Sequence, residues 1–457
     1  MKLTAKQKER LKRPRPFLFL IVIAIFGLPW ALLFATGVKA RHQRAQMDEQ
    51  AASFLGQLPT YPRNQSAAQF EVLTASLGFA PNDSTGLDLR FDGEAGQAYE
   101  NIRTPLSTFL RMQAAKTAGP LDPIPPELTQ YLETYGDRLQ IIQTHLLTQP
   151  VPLWDMTYER MVNPHYPFPG FFNVRNVQEL LLLSALEAHQ KQQTDEMTAA
   201  LEASWQLNQA LLQRPDLTAQ VSVSAVAEYQ SGLLRHLNDV PTPWIARLNQ
   251  QTEQQSVIKA HEFEAWLLYK IQQHSLRAAV YRAEPTAPIG DKLQSTMLYW
   301  FSPAYVMQLK AIDTAKSTHH ALEQLTKLDV CTTPQQTAQQ QLSQEDTADW
   351  NQTSTSAPEV FARRWKMTGD RALHLELTQK VLQAKQYRQE QGSWPTELPE
   401  LASTTCTGAN WTYIYHPDDD SISISLDKPP MPTIYSLGLD PGHPIPFEYA
   451  SNQSAAR

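Results

Sequence analysis

The apolar positions of this chain change period along its length, and each change predicts an element. Residues 17–37, FLFLIVIAIFGLPWALLFATG, are uncharged over 21 residues. At ~1.5 Å per residue, a helix of that length spans about the ~30 Å hydrocarbon core of a bilayer, so the run predicts one transmembrane helix. Pro29 is tolerable within it, because Pro is commoner in membrane helices than in soluble ones. From Asn176 the pattern becomes that of helices packed in water, with Val177, Leu181, Ala185 and Ala188 on one face. Thr194, followed by acids, opens a second helix carrying Met197, Leu201, Trp205 and Leu212, which Pro215 ends. A third places Val223, Val226, Leu233 and Leu237 three or four residues apart, as a stripe facing a core requires. Residues 254–283 are apolar on several faces, through Val257, Ile258, Phe263, Trp266, Leu267, Leu268, Ile271 and Val280, which predicts a central helix. Ser302-Pro303 opens another, carrying Val306, Leu309, Leu322 and Leu325. Residues 176–330 therefore read as a helical bundle.

Around that bundle the pattern weakens. Residues 45–175 read as a leading segment with weak helical periodicity at 47–58 and 67–77. The stretches GPLDPIPP at 119–126 and PVPLWDMTYERMVNPHYPFPG at 150–170 interrupt any helix that enters them. Trp154, Tyr158, Tyr166, Phe168, Phe171 and Phe172 crowd the second stretch, and disordered segments are poor in aromatics, so a loop packed on the helices is expected. Residues 331–356 are rich in Gln, Thr and Ser with almost no apolar content, which predicts a linker. Residues 357–445 read as a separate module. Its helix has the stripe Leu373, Leu377, Val381, Ala384 and Tyr387, closed by Gly392. Strands follow, with Trp411, Tyr413 and Tyr415 alternating with polar positions, a turn at HPDDD, then Ile422, Ile424 and Leu426, and a third strand at 433–437. Residues 446–457 read as a tail. The fold class is thus mainly α: one N-terminal transmembrane helix, an irregular helical bundle, and a small C-terminal α+β module made of a helix and an antiparallel hairpin or sheet. Residues 193–216 look like half of a tetratricopeptide unit, but the pattern occurs once, and a solenoid needs several copies to bury a core.

The segment YRQEQGSWPTELPEL at 387–401, the paired strands and IYSLGLD at 434–440 are similar to the pilin-like C-terminal module of secretion pseudopilins. They resemble more closely a group of uncharacterised bacterial single-pass membrane proteins. That group joins a helical outer region to a module of the form Tyr…Gly-x-x-Pro-x-x-Leu ending in Tyr-Ser-x-Gly-x-Asp. Tyr387, Gly392, Pro395, Leu398, Tyr435, Ser436, Gly438 and Asp440 fit the form, and LLLSALEAHQ at 181–190 resembles the group's helical region. The resemblance implies an envelope protein. The chain departs from pseudopilins themselves in lacking a Gly-Phe leader junction followed by an early Glu, and in the large bundle that intervenes.

Charge sets the expected orientation. Lys2, Lys6, Lys8, Arg10, Lys12, Arg13 and Arg15 precede the apolar run in the basic head 1–16, so the positive-inside bias puts the N-terminus in the cytoplasm and the bulk outside. The expected location is a bacterial inner membrane, crossed once, with residues 17–37 as the contact with the lipid bilayer. A cleaved signal peptide ending near Val38-Lys39-Ala40 is the competing reading, and an apolar core of about 7–15 residues, as such peptides carry, is shorter than this run. Residues 1–44 carry +9 of a formal total of −7, leaving −16 on the remainder, which argues against nucleic acid as a partner. Cys331 and Cys406 are an even pair in an oxidising compartment. They permit one bridge or two separate thiols, and their placement at the end of the helical region and in the C-terminal module favours the bridge.

Candidate chemistry is sparse. Asp418, Asp419 and Asp420 cluster at the hairpin tip, where their oxygens suit Ca²⁺, although Asp is also a favoured turn residue. His261 and Glu264, beside Glu262, share a helix face, but position 265 is Ala where a zinc-protease helix needs a second His, so a buried hydrogen-bonded pair is expected. His319 and His320, being adjacent, diverge by about 100° and do not suit one metal. A Gly-rich phosphate loop, a Gly-x-Ser-x-Gly elbow and a Cys-x-x-Cys pair are all missing from the sequence. Five Asn-x-Ser/Thr sequons, at Asn64, Asn82, Asn351, Asn410 and Asn452, match chance expectation at this composition. The expected function is a membrane-anchored extracytoplasmic scaffold with envelope protein partners, no catalysis and no cofactor beyond the Ca²⁺ candidate. The alternatives are an envelope enzyme acting on cell-wall or glycan substrates and an accessory component of a secretion or pilus system.

Overall fold

The computed structural model describes residues 38–39, 41–79, 91–163, 166, 169–237, 243–249, 253–281, 304–344, 357–430 and 447–451. The expected transmembrane run 17–37 lies outside them, and no helix among the described residues is long and apolar enough to cross a membrane. The described chain is mainly helical with a small C-terminal three-stranded antiparallel sheet. The helices are α1 (41–55), α2 (Gln65–Ala75), α3 (Gly93–Ala114), α4 (Pro126–Thr148), α5 (Tyr158–Met161), α6 (Phe171–Gln190) and α7 (Thr194–Leu212). They continue with α8 (Leu217–His236), α9 (Pro243–Asn249), α10 (Glu253–Tyr281), α11 (Ala304–Lys327), α12 (Gln335–Gln344) and α13 (Ala357–Gln391). The strands are β1 (Trp411–His416), β2 (Ser421–Leu426) and β3 (Glu448–Ala450), in the order β1-β2-β3. Two compact units form, one from within Met1–Gln57 and Leu268–Lys316, the other from Leu58–Leu267 and Ser317–Arg457.

In the smaller unit, Met47, Ala51, Tyr269, Ala311, Ile312 and Ala315 are buried, and the Asp48 carboxylate accepts from Lys270 Nζ. In the larger unit the stripes expected on α6, α7 and α8 are buried, with only Leu212 half-buried. Local chemistry starts and stops these helices. Asp216 caps α8 by accepting from the Ala219 amide at 3.0 Å, which satisfies one of the donors a helix start leaves free. Pro126 opens α4, where its missing amide costs nothing.

Helices α3 and α4, within the segment 45–175, belong to the core of the bundle. Tyr99, Leu106 and Leu110 of α3 and Leu128 and Ile142 of α4 share one core with Leu181, Leu207 and Val226 of the bundle. Their stripes mix Tyr with Leu and carry Pro105 inside α3, so the periodicity understates two full helices. Among the described residues of the 150–170 loop, Trp154, Met156, Met161 and Tyr166 are buried, as its aromatics suggested, and Phe168 lies outside the described residues. Arg214 secures the loop, donating through Nη1 to the carbonyls of Trp154 (3.3 Å) and Asp155 (3.0 Å) while Nε pairs with Asp216 at 2.8 Å.

Within the expected linker 331–356, residues 335–344 are helical as α12. Two apolar side chains four apart, Ala338 and Leu342, are enough to bury it beside Val330, Ala362 and Trp365. The central helix α10 is also less enclosed than its composition implied: Val257, Phe263 and Trp266 are buried, but Leu268 is 54% exposed.

Helix α13 carries apolar residues on more than one face. Leu373, Leu377, Val381 and Ala384 lie in a cluster with Trp394, Trp411, Ile422 and Ile424 of the sheet module. Leu375 and Leu382 belong to the bundle core, and Ala362 and Trp365 to the α12 cluster. The module therefore shares its helix with the bundle instead of standing apart. Tyr387 is 45% exposed and not part of the stripe. Gly392 takes φ +78° as the helix ends, the left-handed conformation its position needed. β1 and β2 pair antiparallel with Tyr413 opposite Ile424, and β3 pairs with β2 through Tyr449 opposite Ile424. The strand expected at 433–437 lies outside the described residues, whereas β3 forms within what read as a tail.

Candidate functional site

A groove of about 720 Å³ opens in the larger unit, among the loop Gly119–Pro120–Leu121, His189, His236, the residues Lys385, Arg388 and Gln389 of α13, Trp394, and Tyr449–Ala450–Ser451. The fold assembles it from the ends of elements. β3 is held against the loop after α3 because the Ala450 amide donates to the Thr117 carbonyl at 2.6 Å. His236 ends α8 and contacts the Lys116 carbonyl through Nε2 at 3.0 Å. Burial, with Arg235 and Lys385 nearby, pushes that imidazole down to about 4 and keeps it neutral at physiological pH.

Lys385 and Arg388 are three residues apart on α13 and so project from one side. Lys385 Nζ donates to the carbonyls of Arg235 and Leu237, both at 2.6 Å, where α8 leaves acceptors unpaired and a cation is favoured. The Arg388 guanidinium lies over the Trp394 ring at 4.5 Å, and its Nη2 is 2.8 Å from Oδ2 of Asp420. Trp394 Nε1 in turn donates to the Asp420 carbonyl at 2.9 Å. The twelve lining residues include two full cations and two histidines and no acid. The arrangement presents fixed positive charge in a concave, small-ligand-sized space.

Asp418, Asp419 and Asp420 are exposed in the turn between β1 and β2, with Asp420 at φ 44° and its carboxylate on Arg388. Among the described residues no group of three or more His, Cys, Asp or Glu side chains is gathered as a metal ion would need. Cys331 and Cys406 are joined as a disulfide, with Cα atoms 5.5 Å apart. Beside that bridge, Glu376 of α13 accepts from the hydroxyls of Ser403 (2.8 Å), Thr404 (2.6 Å) and Thr405 (2.6 Å), the Thr405 amide (2.6 Å) and Trp411 Nε1 (2.9 Å). Burial pushes this carboxyl up, but the hydrogen bonds from Thr404, Thr405, Trp411 and Ser403 outweigh it and hold it below the usual range.

The expected pair of His261 and Glu264 is not what brings these residues inside. Burial raises Glu264 to about 7 against the opposing pull of the Arg364 guanidinium. His261 lies edge-on to Phe361, 4.7 Å between ring centres, and its Nε2 has no hydrogen-bond partner among the described residues. His319 rests against Trp266 at 4.2 Å, with Nδ1 4.0 Å from Glu262.

Sequence reasoning missed the groove. Its lining is drawn from segments between positions 119 and 451, and the one local signal was the Lys385/Arg388 spacing on a helix face. No known protein family, curated protein or solved structure matches this chain.

Proposed function

We propose that this chain is a single-pass protein of a bacterial inner membrane, held by residues 17–37 with its N-terminus in the cytoplasm, and that its outer part is a non-catalytic binding scaffold for envelope partners. The groove is its contact site. The observation that carries the reading is the Cys331–Cys406 disulfide, because such bonds persist in oxidising compartments and the only charge-free run long enough to deliver the chain there follows a basic head. A binding role suits the groove because its charged side chains are tied to the fold, Lys385 to helix-end carbonyls and Arg388 to Asp420.

A second reading, an accessory component of a secretion or pilus system, is favoured by the module's build. A helix lies on an antiparallel sheet, Gly392 ends that helix, Leu398 enters the core, and Pro395 accepts a hydrogen bond from the Tyr413 hydroxyl at 2.5 Å. The rest of the pilin-like motif, Tyr435 to Asp440, lies outside the described residues.

Protease added to intact spheroplasts is expected to digest the chain beyond position 45 while the first 16 residues stay protected; a C-terminal reporter active only in the cytoplasm would overturn the reading. A photo-crosslinker at Gln389 in the groove is expected to capture a defined envelope protein, whereas one at the exposed Val72 of α2 is not. Equal capture from both positions would remove the groove from this role.

A further inference from the structure

We infer that the groove recognises a carboxylate on a ligand the size of a disaccharide or a tripeptide. This rests on the reading above that the groove is a contact site, and it adds the chemistry of what enters. In a chain of formal charge −7, the groove gathers Lys385 and Arg388 with no acidic residue in its lining. Its volume of about 720 Å³ falls among small-molecule pockets, which run to roughly 300–1,000 Å³.

The stronger argument is that Arg388 already holds a carboxylate. Asp420 reaches it from the hairpin tip at 2.8 Å, in a pair whose side chains are 42% and 53% exposed. Exposed pairs of this kind contribute little to stability, so exchanging this carboxylate for an incoming one costs the fold little. The guanidinium already rests against the Trp394 ring, 4.5 Å from its centre, which reduces the ordering needed on binding. Lys385 adds a second charge one helical turn away, fixed by the Arg235 and Leu237 carbonyls, and Gln389 and Ser451 also line the groove. Asp420 lies outside the groove's lining and engages Arg388 from the hairpin tip, so an incoming carboxylate competes with it for the guanidinium.

The test is calorimetric titration of the full chain in detergent at low salt. The probes are a glucuronate-containing disaccharide and a tripeptide with a free C-terminal carboxylate, beside the neutral glucose disaccharide and the tripeptide amide. At least one carboxylate is expected to bind saturably, about tenfold or more tighter than its neutral counterpart, and which one binds distinguishes a glycan from a peptide source. Arg388→Gln is expected to remove the preference, Arg388→Lys to keep part of it, and Asp420→Asn to tighten binding by removing the competing carboxylate. Neutral probes binding as tightly as acidic ones would overturn the inference and leave the groove a contact site. So would an Arg388→Gln protein with native circular dichroism and unchanged carboxylate affinity. Failure of both acids to bind at millimolar concentration also sinks the inference, and the Gln389 crosslink then decides the wider reading separately.

Discussion

Glu376 shows how one side chain organises its surroundings here. A buried carboxylate on α13 gathers donors from Ser403, Thr404, Thr405 and Trp411, and so fixes the strand of chain that presents Cys406 to Cys331. Hydrogen bonds to a charged group contribute about 1.5–3 kcal/mol, so Glu376→Gln is expected to cost about 2 kcal/mol in urea denaturation at pH 7. The sign with pH follows from the lowered pKa. The contribution is present above the ordinary carboxylate value of 4.5 and is lost as pH falls through the folded-state value, so wild type and variant should converge in acid. A gap between them that widened in acid would refute this role. None of this was legible in the sequence, because Glu376 sits in an ordinary helical stretch and its partners are a serine and threonine run of the kind found in any loop.

Among the elements, the crossing of α3 and α8 depends on the size of one residue. A β-carbon at Gly232 would lie 2.5 Å from both Cα and Cβ of Ala114 and 2.7 Å from its carbonyl oxygen, where Arg235 also donates at 2.9 Å. Gly232→Ala gains about 1 kcal/mol of helix propensity, but pushing two helix backbones apart costs about 1–3 kcal/mol, so a net lowering of Tm is expected in thermal melts. Helix α8 also joins a buried polar chain: Gln178 Nε2 to Asn208 Oδ1 (2.6 Å), Asn208 Nδ2 to Gln230 Oε1 (2.8 Å) and Gln230 Nε2 to Ser204 Oγ (2.9 Å). These links tie α6, α7 and α8 in one register. The helices themselves were legible where stripes were clean, as for Val177–Leu181–Ala185 and for Ile422–Ile424–Leu426 in the sheet. They were obscure where tertiary contacts compensate a weak pattern: α3 with its internal Pro105, and α12 with only Ala338 and Leu342 to bury. The groove was illegible for a related reason, since segments far apart in sequence create it.

At the scale of the whole larger unit, α13 is a wall of three apolar clusters at once, which couples the sheet, the bundle and the α12 cluster. Its removal would expose all three, so β2 and α8 amides are expected to share one opening free energy in native-state hydrogen exchange. Reduction with dithiothreitol should lower that shared value by about 2–5 kcal/mol without splitting it. Two separate values before reduction would show the sheet module to be independent after all.

The sulfur bridge joins positions 75 apart, so every peptide bond between Cys331 and Cys406 falls inside a covalent ring. A single backbone nick anywhere in that ring therefore releases neither fragment. The severed pieces would still migrate together until a thiol reagent parted them, which makes one hydrolytic cut there tolerable.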